Sequence, residues 1–205
     1  TGTEVFLQGR AMISRDGGKQ YEVNPVFPND LVSAGTMNMW GSDEGFAALL
    51  GGVIEALRPE VVLEVGTNFG RTARAIAAAL AKNKMGHLTT VDMVNFEIHT
   101  SGALRENEKD LVTQVIGKLP DAYAQEPLAS MQGIDVAFLD AGHTAEEIAR
   151  DIEFVEAHRA DRCTVLVDNA TDSQWPGVRE FFESYTDYPH FCFESMCGCQ
   201  FIQMT

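Results

Sequence analysis

Apolar positions along the chain keep two rhythms that alternate. Phe46, Leu49, Leu50, Val53, Ile54 and Leu57 fall three and four apart, the period of one helix face. Ser42 or Asp43 stands ready as a cap, and Pro59 lies beyond the end. Residues 61–65 (VVLEV) then form an apolar run broken only by Glu64, which reads as a strand. The chain leaves that strand through EVGTNFG, with Gly66 and Gly70 four apart, and enters a segment where Ala73, Ile76, Ala77 and Leu80 mark a helix face. Alanine on such a face permits close approach to a sheet.

The alternation continues. Residues 88–92 (LTTVD) and 111–116 (LVTQVI) read as strands, with a polar helical segment over about Ser101 to Lys109 between them. Residues 134–140 (IDVAFLD) precede a helix with Ile148, Ile152 and Val155 on one face. Residues 163–169 (CTVLVDN) precede another, marked by Val178, Phe181, Phe182 and Tyr185. Residues 190–204 suggest a hairpin turning near Met196 to Gly198. Strands apolar on both faces, alternating with helices, predict an α/β fold: a Rossmann-like, doubly wound sheet of seven strands, mostly parallel, with an antiparallel strand in the C-terminal hairpin. Residues 1–41 are rich in Gly, Asn and Pro and hold no sustained period, so they read as an irregular N-terminal arm or substrate lid. Residues 42–205 read as the single domain.

At 205 residues and 45% hydrophobic, the chain can bury a full core without disulfide or metal staples. Its net charge of −15 argues against nucleic acid or an anionic membrane surface as partner, because both attract cations. A small molecule suits this charge better. No apolar run approaches the roughly 18 residues of a membrane span and no signal peptide opens the sequence, so a cytoplasmic location is expected. Cys197 and Cys199 are one residue apart, shorter than a zinc knuckle, and with Cys192 read as reduced cysteines of a terminal hairpin.

In open α/β sheets ligands sit at the carboxyl ends of the strands, where strand order reverses. The glycine turn belongs there, its two glycines allowing a tight turn and a close ligand approach. Its spacing, E-x-G-x-x-x-G, departs from the dinucleotide fingerprint, and a carboxylate in the turn would repel a pyrophosphate. Glu64 and Asp92, one strand later, suit a cationic ligand instead.

EVGTNFG followed by VD at Val91 and Asp92 resembles the class I S-adenosylmethionine-dependent methyltransferases, over about residues 42–205. The resemblance implies that Asp92 holds the ribose hydroxyls of S-adenosylmethionine, with Met93 beside it. Glu64, Gly66, Thr67, Asn68, Gly70 and Thr72 then lie along the methionine tail, Gly117 and Lys118 border the adenine, and Asp140 joins the cofactor site.

A second group stands at the ends of two later strands: Asp140 in FLDAGH, and Asp168 with Asn169 in LVDNA. Three hard oxygen donors without a thiolate suit Mg²⁺. The aspartate with a following Asp-Asn pair resembles the catechol O-methyltransferase-like branch, in which such a set holds magnesium. His143 stands where the catechol enzymes carry a lysine base, and FLDAGH resembles the F-x-D-x-x-H segment of methyltransferase family 24. The resemblance implies that His143 takes the proton from a substrate hydroxyl. Sugar-modifying relatives often have Glu-Asp where this chain has Asp168 and Asn169, so sugar, natural-product and catechol-type acceptors all stay open. The candidate walls for that acceptor are Met37, Met39 and Trp40 in the arm and the loop 171–178, where Trp175 can stack on a ring.

The expected activity is therefore a magnesium-dependent O-methyltransferase acting on a small hydroxylated molecule. A metal-independent methyltransferase and a non-catalytic S-adenosylmethionine-binding protein are the alternatives. A nicotinamide dehydrogenase is disfavoured by the missing third glycine. The arm leaves room for a homo-oligomer, since relatives are often dimers or larger.

Overall fold

The structure is a computed structural model, which describes residues 11–14, 44–100, 103–193 and 197–205. Every strand read from the sequence is present. β2 (Val61–Val65), β3 (His87–Asp92), β4 (Val112–Ile116), β5 (Ile134–Leu139) and β6 (Arg159–Asp168) are followed by the hairpin β7 (His190–Phe193) and β8 (Cys199–Met204). The helices are α1 (Glu44–Leu57), α2 (Arg71–Asn83), α3 (Ala145–His158) and α4 (Pro176–Ser184). These seven strands form the expected sheet. An eighth, β1 (Ala11–Ser14), comes from the arm that the sequence marked as irregular and pairs antiparallel with β7 at the sheet edge. Four residues are too few for a period to emerge, and an edge position asks for none.

The strand order is β1-β7-β8-β6-β5-β2-β3-β4. Strands β2 to β6 run parallel, while β8 lies antiparallel to both β6 and β7. The chain steps from β2 outward through β3 to β4, then returns to place β5 on the other side of β2. The order therefore reverses between β2 and β5, and their carboxyl ends define the crevice.

Alternation along the buried strands divides the core in two. Leu63, Val65, Ala137, Leu139, Val165 and Val167 face α3 and α4, packed with Ile148, Val155 and Val178. Val62, Val136, Phe138 and Leu166 face α1 and α2, packed with Phe46, Leu50, Ile54, Ile76 and Leu80. Both layers are fully covered, as near-continuous apolar strands require.

One expected element is absent. Between β3 and β4 the described residues hold turns and a short 3₁₀ helix, Lys109–Leu111, in place of a helix over Ser101 to Lys109. Glu108 is buried and its Oε2 accepts the Arg105 N–H at 2.8 Å, so the side chain closes a local turn that competes with helix. Ser42, Asp43, Met37, Met39 and Trp40 lie outside the described residues.

Candidate active site

The turn after β2 is built from inside. Gly66 has φ 103° and Gly70 φ 75°, conformations that L side chains rarely adopt. A Cβ on Gly66 would come within 2.5 Å of the Asp140 carbonyl oxygen, and one on Gly70 within 2.7 Å of Ile98 Cγ2. The two glycines thus make room for the protein's own backbone and core, where the sequence had suggested room for a ligand. Gly66 N–H donates to Val91 O and Asp140 N–H donates to Val65 O, at 2.9 and 2.8 Å. Three strand ends are tied at one point.

Glu64 is fully buried beneath this turn, on the side of α2. Thr90 Oγ1 donates to its Oε2 at 2.5 Å, and Thr67 and Thr90 share a hydrogen bond at 2.6 Å. Thr72, buried in the first turn of α2, lies near enough to favour the ionised carboxyl, while Oε1 has no partner among the described residues. Burial raises the carboxyl from 4.5 to about 7, against the lowering by Thr72 and Thr90; nearby Asp92 adds a smaller push upward. Thr67 and Thr72, like Glu64, are therefore buried and turn their side chains into the protein.

Asp92 differs. Its Oδ2 accepts Asn68 N–H and its Oδ1 accepts Val94 N–H, both at 2.9 Å, so the carboxylate is fixed at the mouth of the turn. Asn68 takes a left-handed φ of 44° to reach it. Met93, beside Asp92, exposes 65% of its surface, unusual for so apolar a side chain. Gly117 N–H donates to the Asp92 carbonyl at 2.9 Å, which brings the Gly117–Lys118 segment alongside.

Across the crevice, Asn169 Nδ2 donates to Asp140 Oδ1 at 3.2 Å, with Asn169 held at a left-handed φ of 63°. Asp168 and Asn169 are both buried. Among the described residues, no group of three or more His, Cys, Asp and Glu side chains is arranged as a metal site. Two carboxylates and an amide oxygen are donors of the kind Mg²⁺ takes.

His143 sits where the loop after β5 meets α3. Thr144 caps that helix in a complete capping box: its Oγ1 accepts Glu147 N–H at 3.2 Å and Glu147 Oε2 accepts Thr144 N–H at 3.1 Å. The same Oε2 accepts His143 N–H at 3.0 Å. On its other side the ring stacks on Trp175, centroids 4.1 Å apart at 20°. The sequence suggested Trp175 as a wall stacking on an acceptor's ring; in the structure the ring it stacks on is the protein's own His143 imidazole. Burial lowers the imidazolium below its ordinary 6.5, against opposing pulls from Glu147 and Asp172. Nδ1 is shut off from solvent without a partner among the described residues.

A family model described as a methyltransferase domain matches residues 63–170, just over half of the chain. The chain belongs to methyltransferase family 24. The matched span runs from Glu64 through Asn169 and so takes in both sides of the crevice. No curated protein matches the sequence. Among solved structures, TomG, an O-methyltransferase from Streptomyces achromogenes involved in tomaymycin synthesis and solved with S-adenosylmethionine, is 22% identical. It superposes with a TM-score of 0.67 over 80% of this chain and 82% of its own. An O-methyltransferase from Bacillus cereus in complex with S-adenosylhomocysteine is 16% identical, with a TM-score of 0.67 over 82% and 84%. The S-adenosylhomocysteine-bound methyltransferase PaMTH1 of Podospora anserina is 17% identical, with a TM-score of 0.61 over 80% of each chain. At these identities the likeness is one of fold.

Sequence reasoning passed over four residues that support the crevice and its surroundings. Thr90 carries the hydroxyl that bonds both Glu64 and Thr67; nothing in LTTVD marks it. Glu147 fixes the backbone of His143 and was legible, since T-x-x-E ahead of an apolar-periodic run is a capping-box signature. Tyr123 and Asp151 come from segments 28 residues apart and meet only in the fold. Three other histidines make structural contacts: His87 bonds Thr113, His158 stacks on Phe154, and His190 is buried beside Phe182 and Tyr185.

Proposed function

We propose that the protein is an S-adenosylmethionine-dependent O-methyltransferase that acts on a hydroxyl of a small molecule, with Mg²⁺ held by Asp140, Asp168 and Asn169. The observation that carries this reading is the Asp92 carboxylate, pinned by two backbone N–H groups beside the glycine turn. A carboxylate so held keeps lone pairs free for the two hydroxyls of a ribose. Met93 offers an apolar surface next to it, and Gly117 and Lys118 flank the place an adenine would take.

When bound, the sulfonium supplies an electrophilic methyl carbon, and the dication supplies charge to favour an ionised hydroxyl. The chain's own work is placement and proton transfer. Asp92 and the turn fix the cofactor end, Asp140 and Asn169 mark the acceptor end, and His143 Nε2 receives the acceptor's hydroxyl proton. Trp175 stacked on the ring and Glu147 bonded to the backbone hold that base in one orientation.

One contact favours a metal-free version of the same chemistry. The Asn169 amide donates its Nδ2–H to Asp140, a bond that needs no ion; to serve an ion, the amide must turn its oxygen inward. Titration calorimetry with S-adenosylmethionine, S-adenosylhomocysteine and NAD tests the cofactor. Binding of the first two, none of NAD, and loss of binding in Asp92→Ala are expected. Indifference of the wild-type protein to both sulfur compounds would overturn the reading.

A further inference from the structure

Asp151, on the inner face of α3, is fully buried, and the methyl-transfer chemistry makes no use of it. Its Oδ1 accepts the Tyr123 O–H at 2.8 Å and Arg150 Nε–H at 3.0 Å. Its Oδ2 has no partner among the described residues and lies against Gly142, where a Cβ would come within 3.4 Å of it. A carboxylate left half-satisfied in the interior is costly, so its position between two loops calls for a reason.

The two loops are the two halves of the site. Tyr123 belongs to the 3₁₀ turn Asp121–Ala124, which closes the segment after β4 through the bond from Ala122 N–H to Lys118 O at 3.0 Å. Gly117 backs onto the same turn: a Cβ there would meet Ala122 Cβ at 3.0 Å and Gln125 Nε2 at 2.5 Å. The Tyr123 ring stacks face to face on Phe154, centroids 3.9 Å apart at 8°, so the direction of its hydroxyl is set. Gly142, on the other side, lies between Asp140 and His143. The segment 117–125, the Tyr123 phenol, the Asp151 carboxyl and the loop that carries His143 thus form one run of contacts.

We infer that Asp151, through Tyr123, is a positioning residue that couples the segment bordering the adenine to the loop bearing Asp140 and His143. The inference rests on the S-adenosylmethionine reading above. It gives cofactor occupancy a route for ordering the base before the acceptor arrives, along a chain of contacts with named members.

Hydrogen–deuterium exchange with and without S-adenosylhomocysteine tests it in the full chain, comparing wild type, Tyr123→Phe and Asp151→Asn. Tyr123→Phe keeps the ring on Phe154 and removes only the hydroxyl; Asp151→Asn keeps the shape and removes the charge. In wild type the ligand is expected to slow exchange over residues 117–125 and over 142–148. In the variants it still slows 117–125, while its effect over 142–148 falls by about fivefold or more. A purely structural role would instead raise exchange equally with and without ligand. Unchanged ligand-induced slowing over 142–148 in Tyr123→Phe, or none there in wild type that binds the ligand, overturns the coupling. Wild type that takes up no S-adenosylhomocysteine by calorimetry overturns the cofactor reading instead. If Asp151→Asn does not fold, the Tyr123→Phe comparison decides alone.

Discussion

Glu64 lends itself to a quantitative test, because its surroundings fix both the sign and the size of the effect. The carboxyl has no exposed surface, and burial moves its midpoint from 4.5 to about 7. Between those values the native protein retains a proton that the unfolded chain has already released. Stability therefore falls as pH rises through that window: the contribution is fully present below 4.5 and lost as pH passes about 7. Integrated between pH 5 and pH 8, the shift amounts to about 2–3 kcal/mol at 1.36 kcal/mol per pH unit.

Glu64→Gln removes the titration while keeping the shape. Whatever the amide loses or gains in pairing with Thr72, Thr90 and the vacant side at Oε1 is the same at both pH values, so it cancels when the pH dependence is compared. Urea unfolding of wild type and Glu64→Gln at pH 5 and pH 8 supplies the four free energies. The wild type should lose about 2–3 kcal/mol relative to the variant on going from pH 5 to pH 8. A relative change below about 1 kcal/mol, or one of opposite sign, would refute the argument. It would mean that the hydroxyls of Thr72 and Thr90 stabilise the carboxylate enough to cancel its desolvation.

Three further outcomes are expected. Gly66→Ala meets a positive φ and a Cβ 2.5 Å from the Asp140 carbonyl, so it should lower unfolding free energy by at least about 2 kcal/mol in the same urea assay. His143 is held below its ordinary 6.5 by burial, so the acid limb of kcat/KM against pH should lie below pH 6.5, and His143→Ala should depress turnover while leaving S-adenosylhomocysteine affinity within about twofold. EDTA and Asp168→Ala should each depress methyl transfer by about 100-fold or more, with cofactor binding by calorimetry retained; activity that survives both assigns the site to the metal-free chemistry.

The layered architecture was legible because periodicity reports burial directly. VVLEV, IDVAFL and the TVLVD end of β6 are apolar on both faces, and only a sheet covered on both sides tolerates that. What failed were elements held by single contacts. The helix expected over Ser101 to Lys109 gives way to a turn because one buried carboxylate, Glu108, bonds one backbone N–H. β1 exists because β7 offers it an edge, a circumstance no local pattern records. The site divides along the same line. The positions of Asp92, Asp140, His143, Asp168 and Asn169 were legible, since each ends or follows a parallel strand or precedes a helix at the carboxyl edge of the sheet. Their supports, Thr90, Tyr123 and Asp151, come from chain distances that only folding closes.

The glycine turn shows how a right location can carry a wrong reason. E-x-G-x-x-x-G was read as a gap for a cationic ligand, with Glu64 facing its charge. In the fold, the carboxyl of Glu64 lies under the turn and accepts the Thr90 hydroxyl, while the missing Cβ of Gly66 admits the carbonyl of Asp140. That close approach is what allows Val65 O to accept the Asp140 N–H, and so sets the height at which the loop after β5 leaves the sheet. The first glycine consequently serves the far side of the crevice as much as the near one. A larger residue at position 66 would push apart the two strand ends whose separation defines the site, before any ligand was present to be excluded. The glycine in this turn serves to align β2 with β5, and the alignment brings Asp140 and His143 to the same end of the sheet as Asp92.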